Sequence, residues 1–378
     1  MTKETVAKGS TRAKLQSIPR TIACVADYEQ LAGEFLDHPV FEYLQGGSGS
    51  EQSLRDNLCV FDEYQLINRV LVDAAQGSTH TSVLDHKLRH PILLAPVAYQ
   101  KLVHPDGELE TVRAADALES AMVTSTLSSF TLESIAEQHQ GTRWFQLYFQ
   151  PQREHTLDLL RRAEASGYSA IMVTLDATVQ ASNRRSQRAG FAFPQGVMAA
   201  NLQAYPAPQP VTLSPDHSVI FQGAMSEAPT WEDLQWLLGS TELPVLVKGV
   251  MHPADAEQLV EMGVRGIVIS NHGGRALDGV PAPARVLPSL RTALGNGVPI
   301  LLDSGIRSGY DVFKALALGA DAVMIGRPLL YGLAVAGALG VAHVLRLLRD
   351  ELELCMALAG TPTIAEIGPQ CLFANTKC

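Results

Sequence analysis

The sequence predicts an α/β fold, a TIM (β/α)8 barrel with an N-terminal helical prelude and a long loop after the fourth strand. Three observations predict it. From about residue 90 the chain repeats apolar strand, polar loop and amphipathic helix eight times over roughly 270 residues, the size of one barrel. The strand segments are near-continuous apolar runs, as parallel strands buried on both faces require. Each run ends in small hydroxylic, amide or cationic residues, at the end where barrel enzymes place their chemistry. An open doubly wound sheet is the competing architecture, but no GxGxxG turn follows the first strand.

In chain order, residues 1–20 read as a flexible leader. They are polar and basic and lack the apolar stretch of a secretory signal; Glu4 opposes a transit role. Residues 21–378 read as one domain, with the barrel from about 90 to 360. Residues 21–90 form the helical, then irregular, prelude, in which Phe41-Glu-Tyr-Leu-Gln-Gly-Gly-Ser-Gly-Ser50 is expected to fold over one end of the barrel. The expected strands are 91–96, 121–125, 144–148, 170–174, 244–248, 266–270, 299–303 and 322–325. Helical spacing is clearest at 156–165, 253–262, 309–318 and 341–358. Residues 177–230 interrupt the rhythm with Pro, Gln and Ala and little periodicity, the texture of a lid-like insertion.

Composition narrows the function. With 46% hydrophobic and 18% charged residues the chain has material for a large core. A net charge of −10 argues against nucleic acid as the main partner, because phosphate backbones need clustered positive charge. No run approaches the ~18 uninterrupted apolar residues of a membrane span. The five cysteines are scattered without CxxC or metal-ligand spacing, which favours reduced thiols in a cytoplasmic protein and no metal site.

The strand ends carry the chemistry. After 266–270 come Asn271, His272, Gly273, Gly274 and Arg275: an imidazole that exchanges protons near neutral pH and a guanidinium that can hold a carboxylate, or else a solvated turn. Asp303-Ser-Gly-Ile-Arg-Ser-Gly309 and Ile325-Gly-Arg-Pro328 follow the last two strands, the usual phosphate position of this fold, although turn glycines and capping arginines are the alternative. Lys248 needs an anionic partner if buried; it suits either a Schiff base or the stabilisation of charge on a cofactor. Ser128, Gln146 and Thr174 could hydrogen-bond the edge of a flat heterocycle. Asp176 is placed either to orient an imidazole or to cap the next helix.

Taken together, Lys248-Gly249, Ser270-Asn-His-Gly-Gly-Arg275, Asp303-x-Gly-Ile-Arg307 and Ile325-Gly-Arg-Pro328 resemble the FMN-dependent α-hydroxy acid oxidases and dehydrogenases. Ala95-Pro96, His104-Pro-x-Gly-Glu108, Thr126-Leu-Ser-Ser129, Phe145-Gln-Leu-Tyr148 and Thr174-Leu-Asp176 fit the same pattern, so the match runs from about Tyr43 to Gly360. Val97-Ala-Tyr-Gln-Lys101 is similar to the hydroxymandelate oxidase branch. The resemblance implies His272 as base, with Asp176 as its partner. It implies Arg275, Tyr43 and Tyr148 on the substrate carboxylate and hydroxyl, and Lys248 beside the flavin ring. Pro96, Val97, Ala98, Ser128, Gln146, Thr174 and Ser270 would frame the ring. Asp303, Ser304, Gly305, Arg307, Gly326 and Arg327 would hold the ribityl chain and phosphate. The implied reaction converts a small 2-hydroxy acid to a 2-oxo acid, with oxygen reduced to hydrogen peroxide; a homotetramer is implied as well.

Three positions depart from the pattern: Ser304 replaces a glycine usual in the phosphate loop, Ala276 replaces a common glutamine, and the third bears on the substrate. In the ungapped register Asn183 stands where the family places a second substrate arginine, and a two-residue shift gives that role to Arg185. Three other readings compete with the soluble oxidase. They are a dehydrogenase passing electrons to a quinone or protein, a flavin-binding homologue without turnover, and a phosphosugar barrel enzyme without flavin.

Overall fold

A computed structural model describes residues 12–179, 181–206 and 212–373. Eight parallel strands close into a barrel in chain order: β3 (Ile92–Leu94), β4 (Met122–Ser125), β5 (Arg143–Leu147), β6 (Ala170–Thr174), β7 (Val245–Val250), β8 (Gly266–Ile269), β9 (Ile300–Leu302) and β10 (Ala322–Ile325). β10 returns to β3, pairing Val323 with Ile92 and Ile325 with Leu94. All eight expected strands are present, each bounded within two residues of its expected range at either end. Their apolar runs are legible because inner and outer faces are both covered: Leu93, Trp144, Met172, Leu246, Val268 and Met324 meet inside the barrel, while Ile92, Val247, Ile267 and Val323 pack against helices.

An unexpected hairpin, β1 (Thr81–Val83) with β2 (His86–Leu88), puts Val83 and Leu88 into the interior cluster and so plugs one end. The prelude supplies α1 (Val25–Phe35), α2 (His38–Gln45) and α3 (Gln52–Cys59). Ser48 N donates to Gly274 O at 2.8 Å and Asp278 accepts from Ser50 and Ser53, which seats the prelude on the end opposite the hairpin, beside the His272 loop. Of the expected leader, residues 1–11 lie outside the described residues. Residues 12–20 depart from a flexible reading: Lys14 Nζ donates to Val103 O and Ala334 O, and Leu15 N donates to Val335 O.

The last helix of the barrel is longer than its periodicity suggested. It runs from Arg327 to Ala359, with a kink where Ala336 and Gly337 leave helical geometry. It is long and apolar enough to cross a membrane by length and composition, but most of its apolar stretch is buried against α1 and against helices Gly107–Ala117 and Gly309–Ala317. The insertion is anchored by Asn201. This residue is buried and bonds Leu132 N, Ser125 O, Thr126 O and Ser128 Oγ, between the end of β4 and the start of the helix that follows it.

Candidate active site

β8 delivers the reacting loop. His272, Gly273 and Gly274 have φ of +58°, +64° and +74°, three left-handed residues in succession. A Cβ on Gly274 would lie 2.7 Å from Leu54 N and Cα of α3, so no side chain fits where this loop meets the prelude. A reciprocal pair of hydrogen bonds between side-chain amides, Asn57 with Asn271 at 2.8 Å each way, fastens α3 to the same loop. His272 N donates to Ser270 Oγ at 3.0 Å, and His272 Nδ1 lies 2.9 Å from Asp176 Oδ1. Burial pushes the Asp176 carboxyl up, but the Lys248 ammonium and His272 outweigh it and hold the group below the usual carboxylate range. A carboxylate therefore faces Nδ1, which takes the proton and leaves Nε2 as the acceptor. Asp176 orients the imidazole; it is not a helix cap.

Lys248 is almost fully buried at the end of β7, with Nζ 2.7 Å from Ser270 Oγ and 3.0 Å from Asp303 Oδ2. Burial pushes its ammonium down; Asp303 and Asp176 together more than restore it, to above the ordinary lysine value. A lysine held charged in this way is no Schiff-base nucleophile, because that chemistry needs the free amine. It is a fixed positive charge at the cavity floor. Burial pushes the Tyr148 phenol up to about 12, so it remains a hydrogen-bond donor.

The loops after β8, β9 and β10 make their side of the cavity cationic. Ser304 and Gly305 are left-handed, and a Cβ on Gly305 would come within 2.0 Å of Asn57 O. Ser304 Oγ donates to Asp303 Oδ1 and accepts from Gly273 N, locking the β9 loop to the β8 loop. Arg307 Nε donates to Glu29 Oε2 on α1 at 3.2 Å. Arg327 donates to Leu44 O, Gly273 O and Gly46 O. Burial, and next the neighbouring Arg275 charge, push Arg327 down to about 10, which still leaves it charged at neutral pH. Arg275 Nη1 donates to Tyr43 O and Gly46 O, and its guanidinium sits 4.9 Å from the Tyr43 ring centroid.

These groups surround one cavity of about 640 Å³. Tyr43, Pro96, Val97, Ala98, Tyr148, Thr174, Lys248, His272, Arg275, Asp303, Ser304, Gly305, Arg307, Gly326 and Arg327 all line it. Asp176, Ser270 and Gln146 stand behind the lining, the first two bonded to His272 and Lys248. Two further expected site residues stand apart from the lining, with their polar groups taken by other partners. Arg185 does not line the cavity: its guanidinium is bonded to Glu42 and Gln45 of α2. Ser128 does not line it either, because its hydroxyl is used by Phe130 O and Asn201. Asn183 is likewise outside the lining; it caps helix Arg184–Arg188 through Ser186 N, and its Nδ2 lies 3.4 Å from Tyr43 O. Sequence reasoning missed Leu127, Phe149, Phe193, Leu202 and Pro229, which form the apolar side of the cavity. Phe193, from the insertion, contacts Tyr43, Tyr99 and Phe191 edge to face. The aromatic run Phe191-Ala-Phe193 was the available signal.

The site is built to receive a flat, acceptor-rich ring with an anionic tail. Gln146 Nε2 and Thr174 Oγ1 are buried at the ends of β5 and β6 with no protein partner, an expensive arrangement unless a ligand accepts from them. Lys248 stands beside them on the adjacent strand, paired in register with Thr174, and Arg307 and Arg327 line the same cavity. Among the described residues no group of His, Cys, Asp and Glu could hold a metal ion.

Residues 32–374 match the family model described as FMN-dependent dehydrogenase. The chain belongs to the FMN-dependent dehydrogenase family. Its cofactor is FMN, and the unpartnered donors of Gln146 and Thr174 fit that group. The chain is 53% identical to an L-lactate oxidase of Alicycliphilus denitrificans over 93% of its length and 96% of that protein's. It is 41% identical to a 4-hydroxymandelate oxidase of Amycolatopsis orientalis, covering 91% of this chain and 96% of the relative. A solved structure of mandelate oxidase with (S)-2-phenylpropionate superposes with a TM-score of 0.83 at 39% identity, over 93% of this chain and 98% of that one. Identity is thus higher to that lactate oxidase than to the hydroxymandelate branch suggested by residues 97–101.

Proposed function

We propose that this chain is an FMN-dependent oxidase of short (S)-2-hydroxy acids, L-lactate foremost, giving the 2-oxo acid and hydrogen peroxide. The observation that carries the reading is the His272–Asp176 pair with Arg275 on the same loop, above a cavity with two unpartnered donors and a fixed lysine charge. FMN, when bound, supplies the acceptor for the α-hydrogen and its two electrons and then passes them to oxygen. His272 Nε2 takes the hydroxyl proton, and Asp176 stabilises the imidazolium that results. Arg275 holds the substrate carboxylate, with Tyr43 and Tyr148 as hydroxyl donors around it. Lys248 places positive charge where the reduced ring gathers electrons. Asp303, Gly305, Arg307, Gly326 and Arg327 hold the ribityl-phosphate end.

The relatives named as oxidases support oxygen as the acceptor over a quinone or protein. Four described cysteines are free thiols, which supports a cytoplasmic location, and a homotetramer is carried over from the family resemblance. The test is anaerobic mixing with L-lactate. The flavin absorbance should bleach, then recover on admitting oxygen with one equivalent of peroxide. Flavin that stays yellow with L-lactate but bleaches with 4-hydroxymandelate would transfer the assignment to aryl substrates; slow recovery in oxygen would overturn the oxidase reading.

A further inference from the structure

We infer that Glu29, on the prelude helix α1, is a positioning residue for the FMN phosphate, acting through Arg307. The inference rests on the reading of Arg307 as a phosphate ligand. Glu29 and Arg307 are 278 residues apart, yet Glu29 Oε2 accepts from Arg307 Nε at 3.2 Å. The other carboxylate oxygen is held from two directions: Tyr331 Oη, fully buried on the last helix, donates at 3.3 Å, and Gln45 Nε2, at the end of α2, donates at 3.4 Å. Arg307 Nη1 donates to Ile306 O. Two of its three nitrogens are thereby fixed on the protein side. Nη2 has no protein acceptor among the described residues, and the side chain lines the cavity.

A long guanidinium side chain loses considerable rotamer freedom when it binds an anion. Tethering its Nε edge in advance removes part of that loss and aims the free N–H groups into the cavity. The same tether fastens α1, α2 and the last helix around the phosphate end. A second effect opposes it, since the Glu29 carboxylate repels a phosphate close by. The two effects have opposite signs on removal of Glu29, which makes them separable. A glutamine retains the acceptor oxygen and drops the charge; an alanine drops both.

The measurement is the dissociation constant of FMN, from flavin fluorescence released on dilution of holoenzyme, with riboflavin exchanged in as a phosphate-free probe. Glu29→Ala should weaken FMN roughly tenfold, and Glu29→Gln should stay within about threefold of wild type. Riboflavin affinity should be unchanged in both. Equal loss of FMN and riboflavin would reduce Glu29 to a general structural role and overturn the inference; so would tighter FMN binding in both variants, which would mean that repulsion dominates. If Glu29→Ala yields no holoenzyme, Glu29→Asp serves, because it keeps the charge but is one methylene too short to reach Arg307. Weakened FMN with unchanged riboflavin then supports the inference, and wild-type affinity for FMN overturns it. Arg307→Leu separates the two readings. Unchanged FMN affinity there removes the phosphate role itself, whereas a loss there without one in Glu29→Ala removes only the positioning role.

Discussion

His272 Nδ1 and Asp176 Oδ1 stand 2.9 Å apart although 96 residues of chain separate them. The pair exists because β6 and β8 are two strands apart in one closed barrel and both end at the same face. Asp176 is held as a carboxylate by Lys248 and His272, so the imidazole is presented in one tautomer. Replacing His272 with Ala should leave FMN bound and slow flavin reduction by L-lactate by about 10²–10⁴-fold, read by stopped-flow absorbance. Asp176→Asn should slow the same step by presenting the wrong tautomer. Reduction at the wild-type rate in either variant would remove the assigned roles.

Arg275 and Arg185 should behave oppositely. Arg275 lines the cavity, whereas Arg185 does not and is bonded to Glu42 of α2. Steady-state kinetics of Arg275→Met should show KM for L-lactate raised about 10–100-fold, the loss expected for a charge-assisted carboxylate contact. Arg185→Met should leave KM within about twofold and alter stability by about 1 kcal/mol or less, as partly exposed ion pairs do. A large KM effect in Arg185→Met would restore it to the site.

Gly305 cannot be replaced cheaply. Its φ of +100° brings backbone strain to any other residue, and an added methyl would meet Asn57 O at 2.0 Å, a backbone atom that cannot rotate away. Gly305→Ala should cost about 2–4 kcal/mol, seen as a lower urea midpoint, and should release FMN because α3 is pushed off the β9 loop.

His90 predicts an acid-side loss of stability unrelated to catalysis. Its ring is buried just before β3, and burial, helped by the nearby Arg349 charge, pushes it down to about 4. A histidine depressed in the folded state is neutral there while the unfolded chain binds a proton. Its full stability contribution is therefore present above pH ~6.5 and is lost as pH falls towards 4, by up to about 3 kcal/mol. His90→Gln should flatten the dependence of the thermal midpoint on pH across that window; an unchanged slope would show that another group is responsible.

The barrel was legible because its strands bury both faces and so announce themselves as continuous apolar runs. The hairpin Thr81–Val83 with His86–Leu88 was not, because two three-residue strands hold no period. The last helix was recognised only from residue 341, since the Ala- and Gly-rich stretch before it carries a kink at Ala336 and Gly337. In the site, His272, Arg275, Lys248 and Asp303 could be named from their positions at strand ends. Spacing alone could not decide between Asn183 and Arg185, because it does not say which way a short helix turns; the helix caps with Asn183 and sends Arg185 towards Glu42.

The amino-acid sequence by itself determined the (β/α)8 architecture and the chemical groups at the strand ends, because periodicity and local residue types encode these directly; the FMN family entered through the resemblance of its motifs. Only the tertiary structure decided which partners those groups take: Asp176 on His272, Asp303 on Lys248, and Glu29 on Arg307. Each of those pairs joins segments far apart in the chain. Such contacts depend on how the barrel closes and where the prelude docks, information that no local window of sequence contains.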